Sequence, residues 1–464
     1  MAHDVPQGRR TERSGIVSII ADLPWLLPAI TGGVGILYAM IRYPKVWLAL
    51  FLLVLPYFLM DTGEGLSVSE VVLGGLFTGS IALWMIWRLA VDPRPLVKGW
   101  TDFLLLFFIL ASFANIIVAR FNHVELSGWA VDWSYFLLML YYFPFREQFG
   151  KDTTTFRQFI ALAGVSSFLM ALFSAWTFKQ KMAENMVYAY QIQASRSATL
   201  GPLFLLAICV GLVLIFHVRW RPRLMTFLVV VINIAALVLT FTRTLWVLVF
   251  ACSFLAMLFL RWQQNSKIII GSVALLAVSI TTFYAVNPKV AGVALLFIQK
   301  RFTSSTQLKG GDFSFETRLI EVSNAWRKVK QAPLGGSGLR AKFVTWAPIE
   351  QWHNATAFVH IGYVGLIHKL GFPTAAIMFC VLIGFSIRSI RAALAARRPH
   401  APPLARAIAI GVFAFIPAMY INIFMAGIFD QRYGNVMFAF IFAAIALSEE
   451  ALRRAQEAPT SLQQ

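Results

Sequence analysis

The chain has 464 residues, of which 59% are hydrophobic and only 13% charged, and its mean hydropathy is +0.71. Soluble domains carry ~45–50% apolar and ~25% charged residues, so the composition argues against a soluble enzyme, a disordered chain and a disulfide scaffold. The net charge of +19 would suggest nucleic acid in a soluble protein, but most basic residues here lie in short connections between apolar runs, where membrane topology accounts for them and no nucleic-acid partner is expected.

Residues 1–23 read as a polar arm without the small-residue cleavage site of a signal peptide. Beyond it come long apolar runs, and runs of roughly 17–25 apolar residues cross a bilayer as helices. They predict twelve or thirteen spans, near 24–41, 46–60, 69–91, 101–119, 129–145, 156–177, 200–217, 224–241, 244–261, 267–286, 358–389, 406–427 and 433–449. The expected fold class is all-α, a polytopic transmembrane helical bundle. It is divided into a bundle over 24–286, a large loop over 287–357, C-terminal spans over 358–449 and a tail over 450–464. The loop, about 70 residues long, exceeds ordinary connections; its helical spacing over 317–329 predicts a small helical cap or lid. Cys209, Cys252 and Cys380 each sit inside an apolar run, so neither disulfides nor a zinc site is expected.

The connections alternate in charge. One set is basic: Arg42 with Lys45, Arg88 with Arg94 and Lys98, Arg146 with Lys151, Arg219 to Arg223, Arg391 to Arg398, and Arg453 with Arg454. The other set is acidic or poor in charge: 61–68, 120–127, 242–243 and 429–433. Excess lysine and arginine marks the cytoplasmic side, which puts the second set and the long loop outside.

Ionisable groups in or beside a span are costly and are functional candidates by default. Arg196 precedes a span, Arg243 lies between two apolar runs with almost no loop, Asp430 and Arg432 separate the last two spans, and His360 opens a span. All fall on the outward side. Asp430 and Arg432 can also pair with each other across a turn. The loop adds Arg301, then Arg318 and Trp326, then the glycine-rich 332–339, which is either a plain turn or a close approach to a ligand. Several guanidiniums with few carboxylates nearby call for an anion, and diphosphate suits their forked donors.

The order of these residues resembles the O-antigen ligase and polysaccharide polymerase superfamily of bacterial envelopes. An arginine precedes a mid-chain span, a Thr-Arg opens another, a long loop carries Arg…Trp…Pro…Gly-x-Gly, and a histidine enters the next span. The family's histidine motif is His, then Asn, Ser or Gln, nine residues, then Gly-x-x-Gly/Thr/Tyr. His360 with 362–370 and Gly371-Phe-Pro-Thr374 has that spacing, with Ile361 in place of the amide. His353-Asn354 is the other candidate, with a shorter spacing to Gly362-Tyr-Val-Gly365.

The resemblance implies an enzyme of the inner membrane, multi-pass, with its active site facing the periplasm. It would transfer a glycan from undecaprenyl diphosphate to a hydroxyl of an acceptor glycan, either a lipid-linked repeat unit (polymerase) or the lipid A–core (ligase). His360 or His353 would be the general base, and Arg196, Arg243 and Arg301 or Arg318, with Asp430 and Arg432, would hold donor and diphosphate. No Asp-x-Asp motif occurs, so neither metal nor cofactor is expected, and attack opposite the leaving diphosphate would invert the anomeric centre. The competing class is a polysaccharide or lipid transporter, which would carry matching repeats and broken helices.

Overall fold

The computed structural model describes residues 35, 38, 40–59, 68–92, 94–185, 199–270, 313–347 and 352–457. The expected spans near 24–41 and 267–286 lie largely outside the described residues, as does the first part of the long loop.

The chain divides into two units, 1–47 and 48–464. The described part of the first holds a helical stretch at 40–42 and the start of α1 (Pro44–Phe58). The second is a helical bundle. It contains α2 (Val68–Ala90), α3 (Trp100–Phe121), α4 (Leu126–Leu137), α5 (Tyr142–Phe149), α6 (Thr153–Asn185), α7 (Gly201–Leu214), α8 (Trp220–Leu239) and α9 (Arg243–Met257). After the long loop's first part come α10 (Phe313–Gln331), a hairpin of β1 (Phe343–Ala347) and β2 (Trp352–Thr356), α11 (Gly362–Ala395), α12 (Pro403–Met425) and α13 (Arg432–Glu457). Among the described residues, seven helices are long and apolar enough to cross a membrane: α2, α3, α6, α8, α11, α12 and α13. The architecture is thus the expected all-α polytopic bundle.

Two expectations need correcting. Residues 129–145 do not form one lipid-facing span. α4 passes through a 3-10 turn at Leu138–Tyr141 into α5, and the whole stretch from Phe136 to Phe145, apart from Pro144 a run of apolar and aromatic side chains, is buried inside the bundle. Tyr141 stacks on Phe51 at 3.9 Å, and the Tyr142 hydroxyl donates to Asp102 at 2.7 Å. The long loop is not wholly helical either. α10 covers the predicted helix, but β1 and β2 follow it as an antiparallel pair with Phe343 opposite Thr356.

α12 and α13 are the most buried of the crossing helices, whereas α2, α3, α6 and α8 keep broad apolar faces exposed, as lipid-facing helices do. Small residues set the inner contacts. A Cβ on Gly411 of α12 would lie 2.6 Å from Val210 Cα of α7, so those backbones touch directly. His217, just past α7, is within electrostatic reach of Arg406 at the start of α12, so the two helices run antiparallel. The N-terminus of α7 therefore lies at the Met425 end of α12.

Ion pairs gather at two ends. Arg88–Glu147, Arg146–Asp102, Arg388–Glu449 and Lys98–Glu450 join the basic connections at one end. Arg432–Glu70, Lys369–Asp430 and Arg340–Asp132 join the other set. The second end carries the candidate site.

Candidate active site

The site is built on a broken helix. α11 turns out of helical geometry at Gly371 (φ 76°, ψ 169°), two residues before Pro373. Proline removes a donor and clashes with the preceding turn, so carbonyls there lose their helical partners. The glycine-rich turn supplies new ones: Ser337 N–H donates to the His368 carbonyl at 2.8 Å and Gly338 N–H to the Lys369 carbonyl at 3.0 Å. Phe372 N–H donates back to the Pro333 carbonyl at 2.9 Å. Asn115 of α3 bridges both pieces, its amide donating to the Gly335 and Lys369 carbonyls and its oxygen accepting from Leu339 N–H. Of the two sequence readings of 332–339, the structure shows a turn whose close approach is to this helix break.

Gly336 makes that approach possible. Its φ is +70°, and a Cβ there would lie 2.5 Å from Gly371 N and 2.6 Å from the Lys369 carbonyl oxygen. Both obstacles are backbone. Gly336→Ala is therefore expected to cost roughly 2–4 kcal/mol from strain and overpacking together. A melting temperature of the purified variant equal to wild type would count against this splice.

Beneath the splice lies a buried charge network. Lys369, almost fully buried, donates to Asp132 of α4 at 3.0 Å and pairs with Asp430 at 2.8 Å. Arg340 joins from the turn, its backbone N–H and guanidinium both reaching Asp132 at 3.1 and 3.2 Å. Burial raises the Asp430 carboxyl above the ordinary carboxylate value, against the opposing pull of the Lys369 ammonium. Arg432 pairs with Glu70 of α2 at 2.5 Å and lies over the Phe58 ring. Asp430 and Arg432 thus each find a partner on another helix, which corrects the expectation of a mutual pair across the turn. Sequence reasoning missed Lys369, Asp132 and Glu70; each is a charge inside or at the edge of an apolar run, and that was the available signal.

Above the network stands α10. Arg318, Glu321, Ala325 and Val329 recur at three- and four-residue spacing and so share one face. Ala325 packs with Phe343 of β1 and Val359 as a small core. With Val359 buried inward, the next residue, His360, stays partly open, its side chain 38% exposed. Its Nδ1 lies 2.7 Å from Glu321 Oε2, and its backbone N–H donates to the same oxygen at 3.3 Å. A carboxylate only accepts, so Nδ1 carries the proton, and in the neutral ring Nε2 is left with a lone pair. Glu321 was not foreseen, although it lies one turn from Arg318 on the predicted helix.

Arg318 reaches the Met425 sulfur at 3.9 Å, over the end of α12. The residues just beyond pack on the segment leading to His360, since a Cβ on Gly427 would lie 2.7 Å from the Val359 carbonyl oxygen. Arg318 has a buried Nε without a hydrogen-bond partner and no carboxylate partner among the described residues. Arg243 opens α9 beside Gly201, whose Cβ position meets Leu245, and so lies at the same end of the bundle. Among the sequence candidates the structure therefore brings His360 and Arg318 together, with Asp430, Arg432 and Arg243 at the same end. His353 lies in β2 opposite Trp346. Arg196 and Arg301 lie outside the described residues.

Residues 228–380 match the family model described as O-antigen ligase. The matched stretch runs from α8 through α10, the hairpin, His360 and the break in α11. Among curated proteins none matches the chain.

Proposed function

We propose that the chain, whose residues 228–380 match the O-antigen ligase family model, is a glycosyltransferase of that superfamily. It moves a glycan from undecaprenyl diphosphate to an acceptor hydroxyl, with His360 as general base and Glu321 orienting it. The observation that carries this reading is the 2.7 Å contact between Glu321 and His360 on a half-open ring. The carboxylate holds the tautomer in which Nε2 accepts a proton, the same logic by which an acid steadies the histidine of a hydrolase triad.

The steps follow. Nε2 takes the proton of the acceptor hydroxyl, the oxygen attacks the anomeric carbon, and the bond to diphosphate breaks with inversion. The leaving group takes the electron pair, and its charge is met by Arg318 and Arg243, with Arg196 and Arg301 as further contributors. Preorganised donors of this kind contribute several kcal/mol each where water is excluded. Asp430 and Arg432, engaged in ion pairs, act by holding the bend after α12 in place. The same chemistry serves a polymerase and a ligase, whose acceptors differ: a lipid-linked repeat unit or the lipid A–core.

The break in α11 is a feature transporters also use, but two of its freed carbonyls, those of His368 and Lys369, are already taken by the backbone N–H groups of Ser337 and Gly338. That supports the enzyme over the transporter.

Lysine keeps the charge of Arg318 but not its fork, so Arg318→Lys is expected to lower transfer about tenfold or more while expression holds. Wild-type activity in this variant would remove Arg318 from diphosphate binding. The charge bias of the connections supports an inner-membrane protein with this end in the periplasm. In intact cells, after replacement of the three native cysteines, an impermeant maleimide should label Gly310→Cys and spare Arg221→Cys. The reverse pattern would invert the topology.

A further inference from the structure

The opposite, basic end of the bundle contains a cavity of ≈ 500 Å³ between the start of α3, α5, the second half of α11 and the end of α13. Its charges do not balance. Three carboxylates line it, and each is already engaged: Asp102 accepts from Arg146 at 2.6 Å, Glu449 from Arg388 at 2.6 Å, and Glu450 from Lys98 at 2.9 Å. Two further guanidiniums on its wall, Arg391 and Arg453, are left over. Arg391 has no carboxylate partner among the described residues, and Arg453 has a loose exposed contact of 3.7 Å with Glu457.

The cavity's flank is apolar and faces outward. Trp100 lines it and is 55% exposed, and Phe103 lies one turn further along α3. On α11, Ile387, Ile390 and Leu394 are exposed around Arg391. Exposed indoles of this kind settle at the headgroup level of a bilayer. A ligand that is anionic at its head and apolar along its length matches both surfaces at once. Paired guanidiniums favour phosphate, which accepts two parallel hydrogen bonds from each fork.

We propose that this cavity binds the phosphate of an anionic phospholipid headgroup, with the acyl chains lying along the exposed faces of α3 and α11. The site lies at the end of the bundle away from His360, and it does not depend on the transfer reaction. Arg391 and Arg453 supply the excess charge, while Arg146 and Arg388 form the fixed wall.

The test uses the full chain in nanodiscs of phosphatidylglycerol and phosphatidylcholine, with retained lipid counted by native mass spectrometry. Basic residues attract a charged leaflet, so the double variant R391Q/R453Q should retain about thirtyfold less phosphatidylglycerol, a change that corresponds to ~2 kcal/mol. Phosphatidylcholine retention should not change, and the melting temperature in lipid-free detergent should match wild type, which separates lost binding from lost folding. Equal phosphatidylglycerol retention in wild type and variant would overturn the proposal. Inorganic phosphate that stabilises wild type as strongly as phosphatidylglycerol would assign the cavity to a free anion and overturn the lipid assignment.

Discussion

His360→Ala is expected to lower glycan transfer by roughly 10²–10⁴-fold, the usual contribution of a positioned general base. The hydroxyl of a sugar acceptor ionises far above neutral pH and needs help to attack. His360 is half open and held by a carboxylate. Removing the ring leaves intact the arginines proposed to hold the donor, so binding of lipid-linked glycan should persist. Glu321→Gln provides an independent check. Its amide can donate to Nδ1, which favours the tautomer with the proton on Nε2 and blocks the base, so activity should fall although the change is isosteric. Loss in His353→Ala with full activity in His360→Ala would shift the base to β2. Activity in both variants would take histidine out of the mechanism.

Lys369→Ala should be the most damaging single change to stability. Removing one partner of a buried ion pair leaves charge without compensation and typically costs ~3–5 kcal/mol. Here it leaves two carboxylates, Asp132 and Asp430, facing a cavity with only Arg340 in support. The variant is expected to express poorly or melt far below wild type. Neutralising the whole network as D132N/K369M/D430N should recover much of that loss, since a buried ion network can be replaced by uncharged groups at little cost. A Lys369→Ala protein as stable as wild type would mean that water reaches the cluster.

The spans were legible because a bilayer demands long apolar runs, and α2, α3, α6, α8, α12 and α13 follow those runs closely. Hydropathy failed at 129–145 because a helix buried in protein is as apolar as one buried in lipid. It failed again at α11, where a continuous apolar run conceals the break at Gly371. Arg318 is visible in the sequence as a charge in the long loop, and His360 as one that opens a span. Lys369 was hidden among apolar neighbours, and its two carboxylates come from residues 237 and 61 positions away, a pairing no local pattern carries. Glu321 sat in plain view but gained meaning only when the α10 face met Val359 and His360. The glycine-rich turn stands out in the sequence by its glycines, yet its partner, a helix break about 35 residues later, emerges only from the backbone hydrogen bonds.

The most direct test of the central claim is transfer by the purified full-length protein supplied with a labelled undecaprenyl-diphosphate-linked glycan and, in separate reactions, a lipid-linked repeat unit or lipid A–core as acceptor. Labelled glycan is expected on one of the two acceptors, with release of undecaprenyl diphosphate, inversion at the anomeric carbon, and loss of all three in His360→Ala. No transfer to either acceptor, together with passage of the intact lipid-linked glycan across proteoliposomes in both wild type and His360→Ala, would contradict it and make the protein a transporter.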